Sequence, residues 1–230
     1  MPAVKTPAAW LDWARSGASP VAAEALPPPV REIPPLLRRR ADPMGRALLH
    51  ALSRPERPYA GQPLVLCSRL GEFPRSLALL SELAREGLVS PQQFSMSVHN
   101  ATGGLFMMAQ KANAPLTALA AAEETALAGL QEAAAQLADG AESVWLCFSE
   151  EPLPTAYRSL DATPRHTDYF VLRLELTAGE SFRLQADFSP DARITKDDAP
   201  ASPLDLLRFL LLPEMEALCL SPRGGWVLRR

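Results

Sequence analysis

The chain has 230 residues, 47% of them hydrophobic, enough for one large domain with a substantial core. Its 23 basic and 26 acidic residues leave a net charge of −3, without the concentrated basic face that a phosphate backbone requires. Cys67, Cys147 and Cys219 are widely spaced and form no CxxC, which fits a reduced, cytoplasmic protein and excludes a disulfide scaffold. His50, His99 and His166 form no HxxxH or HExxH pattern, so no zinc site and no other cofactor is expected.

The opening run, MPAVKTPAAWLDWARSG, lacks the long apolar core of a signal peptide. Residues 6–17 read as a short helix with Trp10 and Trp13 on one face. Six prolines between 20 and 35 make an extended arm, because proline removes backbone donors. Leu36 to Leu52 reads as helix, with Pro43 marking a start or a kink, and Arg38-Arg39-Arg40 as a solvated helix end. Pro63 to Ser68 is a short apolar run of buried-strand type. A helix follows from Pro74 to Arg85, closed by Gly87, and Ser90-Pro91 starts another.

Leu116 to Ala122 reads as a strand feeding a turn, and Glu123 to Leu137 is the clearest helix of the chain. Asp139-Gly140 ends it, and Ser143 to Ser149 is a second buried strand. Strand, helix and strand in that order imply a parallel crossover. Tyr169–Leu176 and Ser181–Phe188 alternate in polarity and read as a hairpin joined by Thr177-Ala-Gly-Glu. The tail, Pro203 to Leu220, reads as a helix broken at Pro213. No apolar run reaches membrane-spanning length.

Several stretches resemble a known family. SMSVHNATGGLFMMAQKANAPLTALAAAEETALAGLQEAAAQL and SVWLCFSEEPLP carry most of the likeness, with AWLDWA and CSRLGEFPRSLALLSELA in support. They resemble the small beta-ketoacyl synthase-like family, a chain-length-factor-like subunit of aryl polyene biosynthesis clusters, over roughly residues 8–190. The resemblance implies an α/β chain: the N-terminal half of a thiolase-like (ketosynthase) fold, a mixed sheet covered by helices, with a Pro-rich N-terminal arm. It implies a division into an arm (1–35), a half thiolase-like domain (36–190) and a helical tail (191–230).

Working ketosynthases carry a Thr-Ala-Cys-Ala-Ser-Gly elbow. Counting back from Gly140 and SVWLCFSEE, the cysteine position falls at Glu123, or with one residue of slip at Glu124. Ketosynthases also use two histidines from the second half of the fold, and no histidine follows residue 190 here. Thioester condensation needs a thiolate acceptor, and a carboxylate is a weak substitute. The resemblance therefore implies no catalytic residue in this chain and a non-catalytic partner of a complete ketosynthase in polyene, fatty-acid-type chain elongation. An acyl carrier protein would be met through the complex. The implied interface comprises Pro115, Leu116, Thr117 and Leu119, with His99 and Asn100. A half fold is expected to leave one layer bare and to self-associate when expressed alone.

Glu123 has two readings: a carboxylate at a vestigial acyl pocket, or a helix-start acid favoured by exposed amide donors; Glu124 reads as a solvated acid. His99 reads as a structural histidine near an interface. The alternative function is a stand-alone thioesterase or decarboxylase acting on acyl thioesters through Glu123 or Glu124 with His99.

Overall fold

The computed structural model describes residues 6–16, 28–53, 58–160, 168–176, 181–186, 200–221 and 225–230. Its centre is a four-stranded sheet in the order β2-β1-β3-β4, built from β1 (Leu64–Cys67), β2 (Leu116–Leu119), β3 (Ser143–Glu150) and β4 (Asp168–Glu175). β2 and β3 both run parallel to β1, and β4 runs antiparallel to β3. Successive side chains of a strand point to opposite faces. Leu64, Leu66, Trp145 and Cys147 accordingly enter one core, and Val65, Cys67, Val144, Leu146 and Phe148 the other. Burial on both faces is why β1 and β3 are continuous apolar runs.

The first core is roofed by helices. α2 (Pro35–Arg38) and α3 (Pro43–Leu52) replace the single helix expected over this stretch. Asp42 caps α3 by accepting from the Gly45 amide at 2.6 Å, and Pro43 sits at the first helical position. After β1 come α4 (Phe73–Glu86), α5 (Pro91–Ser95) and α6 (Ala101–Gln110). Gly87 closes α4 with a left-handed φ of 70°, and Ser90 caps α5. α6 lies close on the sheet through Gly103, where a Cβ would meet Leu66 Cδ1 at 2.6 Å.

The second core is organised by α7 (Thr125–Ala138), which carries the β2-to-β3 crossover. Its sheet-facing side is made of small residues: Ala126, Gly129 and Ala133 are buried. A Cβ on Gly129 would stand 2.6 Å from Cys67 Sγ and 3.2 Å from Leu146 Cδ1. The far side of α7 meets α8 (Pro203–Leu211) and a second sheet of order β5-β7-β6, formed by β5 (Arg183–Ala186), β6 (Ala217–Ser221) and β7 (Trp226–Arg229). Leu206, Phe209, Leu218, Leu220 and Leu228 complete that core. The layer expected to be bare is therefore covered by the chain's own tail.

Two further expectations need correction. The segments at 169–176 and 181–188 do not pair as a hairpin among the described residues: β4 pairs with β3, and β5 with β7. The tail is helix followed by strands, because Pro213 holds Leu212 extended (φ −108°, ψ 97°) and ends α8. The strands that follow close on β5 through pairs such as Leu184↔Leu228. Pro20, Pro27, His166, the Thr177–Glu180 loop and residues 187–188 lie outside the described residues.

Two features lock the tail. Ser202 and Asp205 form a reciprocal capping box at the start of α8. At its end the Arg230 guanidinium donates to the carbonyl of Phe209 at 2.7 Å and to that of Met215 at 3.1 Å. It also stacks over the rings of Phe182 and Phe209, at 5.2 and 5.1 Å. α1 (Pro7–Ser16) docks on α8 through Trp13, with Arg208 over the indole at 5.0 Å. Trp10 and Trp13 meet edge to face, as their spacing implies.

The contact at Gly129 sets how close α7 approaches the sheet. Gly129→Ala is expected to cost about 1–3 kcal/mol despite the better helix propensity of alanine. Thermal melting should fall by several degrees, and adding Cys67→Ala should make the pair less costly than the sum of the single changes. An unchanged melting temperature for Gly129→Ala would contradict the close packing.

Candidate functional site

Two places in this fold concentrate polar groups. The first is the turn entering α7, where the sequence count puts the vestigial nucleophile position. Ala122–Glu124 form a 3₁₀ turn, and Ala122 has a φ of 48°, strained for a residue with a Cβ. Buried Thr125 supports the turn: its hydroxyl donates to the Ala122 carbonyl at 2.7 Å and accepts from the Ala121 amide at 3.1 Å. Glu123 is exposed. Glu124 is half-buried and accepts a hydrogen bond from the Ser221 hydroxyl of β6. The sequence alone suggested a solvated Glu124; the structure makes it the tie between the turn and the tail, across a separation of 97 residues.

The three cysteines are free and buried. The Cys67 thiol, against Gly129, is pushed up to about 12 by burial, then by Glu150 and Glu132. Complete burial raises Cys147 well above the ordinary thiol value, and burial raises Cys219 as well. A thiol that stays protonated at neutral pH is chemically inert.

The second place is the crevice beyond the C-terminal ends of β1 and β3, where the sheet's connections part to opposite sides. It encloses about 10 Å³, room for roughly one water. Ser68, Gly71, Glu72, His99, Thr102 and Ser149 line it. Glu72 is only 6% exposed and joins three helices. Its carboxylate lies 3.7 Å from Arg75 Nε, and Thr102 Oγ1 donates to it at 3.4 Å. Arg75 also reaches Asp42 at 3.1 Å. One arginine thus serves two acids, with Glu151 nearby. Glu72 is pushed up to about 8, first by burial, then by the Asp42 charge and hydrogen bond. Glu151 rises to about 7, again first by burial and then by Asp42.

His99 packs over Gly71, where a Cβ would come within 3.2 Å of the imidazole Cγ. Burial lowers its pKa, so the ring is neutral at pH 7. Its Nε2 is buried without a hydrogen-bond partner among the described residues. Asn100 is exposed at the start of α6. The four strand positions fall at the sheet edge. Pro115 is exposed, Leu116 abuts Gly103, Thr117 donates to Glu132 at 3.2 Å, and Leu119 packs on the α7 core. His99 and Asn100 belong to the crevice side, the strand residues to the edge. Sequence reasoning missed Asp42, Glu72 and Arg75; the acids at the helix starts were the available signal. Among the described residues no group of three or more His, Cys, Asp or Glu is disposed to hold a metal ion, and no helix is long and apolar enough to cross a membrane.

Helices roofing one face, a mixed sheet, and a small-residue helix buried behind a strained turn define the N-terminal half of a thiolase-like fold. A family model described as beta-ketoacyl synthase, N-terminal domain, matches residues 10–227, and the chain belongs to that family. The match takes in the tail, beyond the stretch whose sequence carries the resemblance. A solved structure of a ketosynthase (ApeO) in complex with its chain length factor (ApeC) from Xenorhabdus doucetiae is similar, with a TM-score of 0.77 and 27% identity over 100% of this chain and 95% of the other. The ishigamide ketosynthase/chain length factor shares the fold, with a TM-score of 0.57 and 18% identity over 84% of this chain and 66% of the other. No curated protein matches the sequence.

The crevice makes a pH prediction. A carboxyl whose folded pKa is raised stabilises the fold in its neutral form, so its contribution is full below about pH 4.5 and is lost as pH rises through about 7 for Glu151 and 8 for Glu72. Thermal melting should fall between about pH 5 and about pH 8, and Glu72→Gln should flatten the decline. A wild-type curve that is level across this window would contradict the buried acid pair.

Proposed function

We propose that the chain is a non-catalytic, chain-length-factor-like subunit that pairs with a complete beta-ketoacyl synthase during polyene chain elongation, meeting the acyl carrier protein through that complex. The observation that carries this reading is the turn before α7. Where the family's chemistry needs a thiolate, the sequence count puts Ala122, Glu123 and Glu124 of this chain, and its three thiols are buried and held protonated. A relative aligned over the whole chain that was solved as a ketosynthase with its chain length factor supports the same reading. The stand-alone thioesterase or decarboxylase has less support. Glu124 is engaged by Ser221, Glu123 is exposed, and burial alone perturbs His99, with no carboxylate contributing.

The partner surface we assign is the edge of β2, from Pro115 to Leu119, with His99 and Asn100 on the crevice side as a separate part of it. Among the described residues β2 has a neighbour on one side only. The carbonyls of Pro115 and Leu119 accept from the Leu64 and Ser68 amides of β1. By strand alternation, Leu116 and Ala118 turn their backbone groups to the free edge. That edge carries no charge, proline or bulge between Leu116 and Ala120 to discourage pairing.

Co-expression with the ketosynthase of the same pathway should give a stable one-to-one complex. Ala118→Pro removes an outward amide while sparing the bonds to β1, and should weaken the complex without unfolding the chain. Size-exclusion chromatography with light scattering distinguishes the outcomes. A wild-type chain that stays monomeric beside that ketosynthase would sink the proposal.

A further inference from the structure

α4 is poorly supported by its own chain. Helices of this length draw most of their stability from burying an apolar face. Of the fourteen residues of α4, only Leu79 is buried. Leu80 and Leu83, three apart and so on one side, are 63% and 45% exposed. Beyond the turn at Gly87, Leu88 is 76% exposed; Phe94 on α5 and Val98 just after it are 61% and 44% exposed. α4 packs chiefly on α5, so the two helices form a hairpin standing on the body of the protein.

These five side chains expose apolar area on the order of 500 Å², as much as the largest patch on a typical monomer. A standard interface takes roughly 800 Å² from each partner, so the hairpin would supply the greater part of one side. Polar residues rim it, Glu82, Arg85 and Glu86 among them, as at the edge of a protein interface. The hairpin adjoins one part of the surface assigned above, since Val98 directly precedes His99 and Asn100.

We propose that the apolar surface of the α4–α5 hairpin, Leu80, Leu83, Leu88, Phe94 and Val98, is a second contact for the partner ketosynthase, adjoining His99 and Asn100. This rests on the ketosynthase-pairing reading and deepens it. The hairpin gives the apolar core of the interface, and the strand edge gives its register through backbone bonds. The self-association expected of the isolated chain then has a location: this hairpin, and not the far side of α7, which the tail covers.

The test uses full-length chain and ketosynthase, with affinity measured by titration for wild type, Leu80→Glu, Phe94→Glu and the double variant. Each single change should weaken binding by roughly 30-fold, the scale of an interface hot spot. Melting temperatures of the isolated variants should stay near wild type, because exposed substitutions cost little. Leu83→Ser, a milder change, should weaken binding by less and in the same direction. Wild-type affinity in both glutamate variants would overturn the inference while leaving the pairing reading intact. Absence of any wild-type complex would overturn both. A homodimer broken by Leu80→Glu, with ketosynthase affinity unchanged, would assign the hairpin to a second copy and overturn the inference.

Discussion

The architecture depends on how closely α7 approaches the sheet. Ala126, Gly129 and Ala133 keep the buried side of the helix small, and Gly129 leaves no side chain at all over Cys67. That approach lets a single helix be buried on both sides, against β1 and β3 in front and against α8 and β6 behind. It also fixes where the helix begins. The turn at Ala121–Thr125 has to deliver the chain from an edge strand into the middle of the protein, and the strained φ of Ala122 and the two hydrogen bonds of Thr125 are what that delivery requires. The tail belongs to the same constraint, since without Leu206, Phe209 and Leu220 the rear face of α7 would be open to water.

Within that frame the turn entering α7 carries two acids: Glu123 faces solvent, and Glu124 is engaged by Ser221. The thiols are placed for packing and held protonated by burial. Polar investment lies instead at the crevice, where Glu72, Asp42 and Arg75 tie α3, α4 and α6 together. That cluster anchors the first turn of α4, whose remainder has little intrachain support.

Much of this was legible in the sequence. β1 and β3 were readable because burial on both faces makes them unbroken apolar runs. The ends of α4, α5 and α7 were readable because Gly87, Ser90 and Gly140 have only one good use at those positions. The partner of β5 was not readable. An alternating strand near another alternating strand looks like a hairpin, and nothing local reports that Leu184 faces Leu228, 44 residues away. The tail strands were hidden for the same reason, with Leu-rich sequence on both sides of Pro213. Glu124 looked like a solvated acid because its partner, Ser221, comes from the far end of the chain. The acid cluster escaped notice because its members sit at the starts of separate helices, where an acid is ordinary, and only the topology brings them together.

The central claim is that this chain never carries the acyl group itself. Intact-mass analysis of the complex, after incubation with an acyl-loaded carrier protein and rapid quenching, tests it most directly. The expected result is an acyl mass on the ketosynthase subunit alone, with this chain at its unmodified mass at every time point. An acyl adduct on this chain, at a cysteine or at the Glu123–Glu124 turn, that forms and decays with turnover would contradict it.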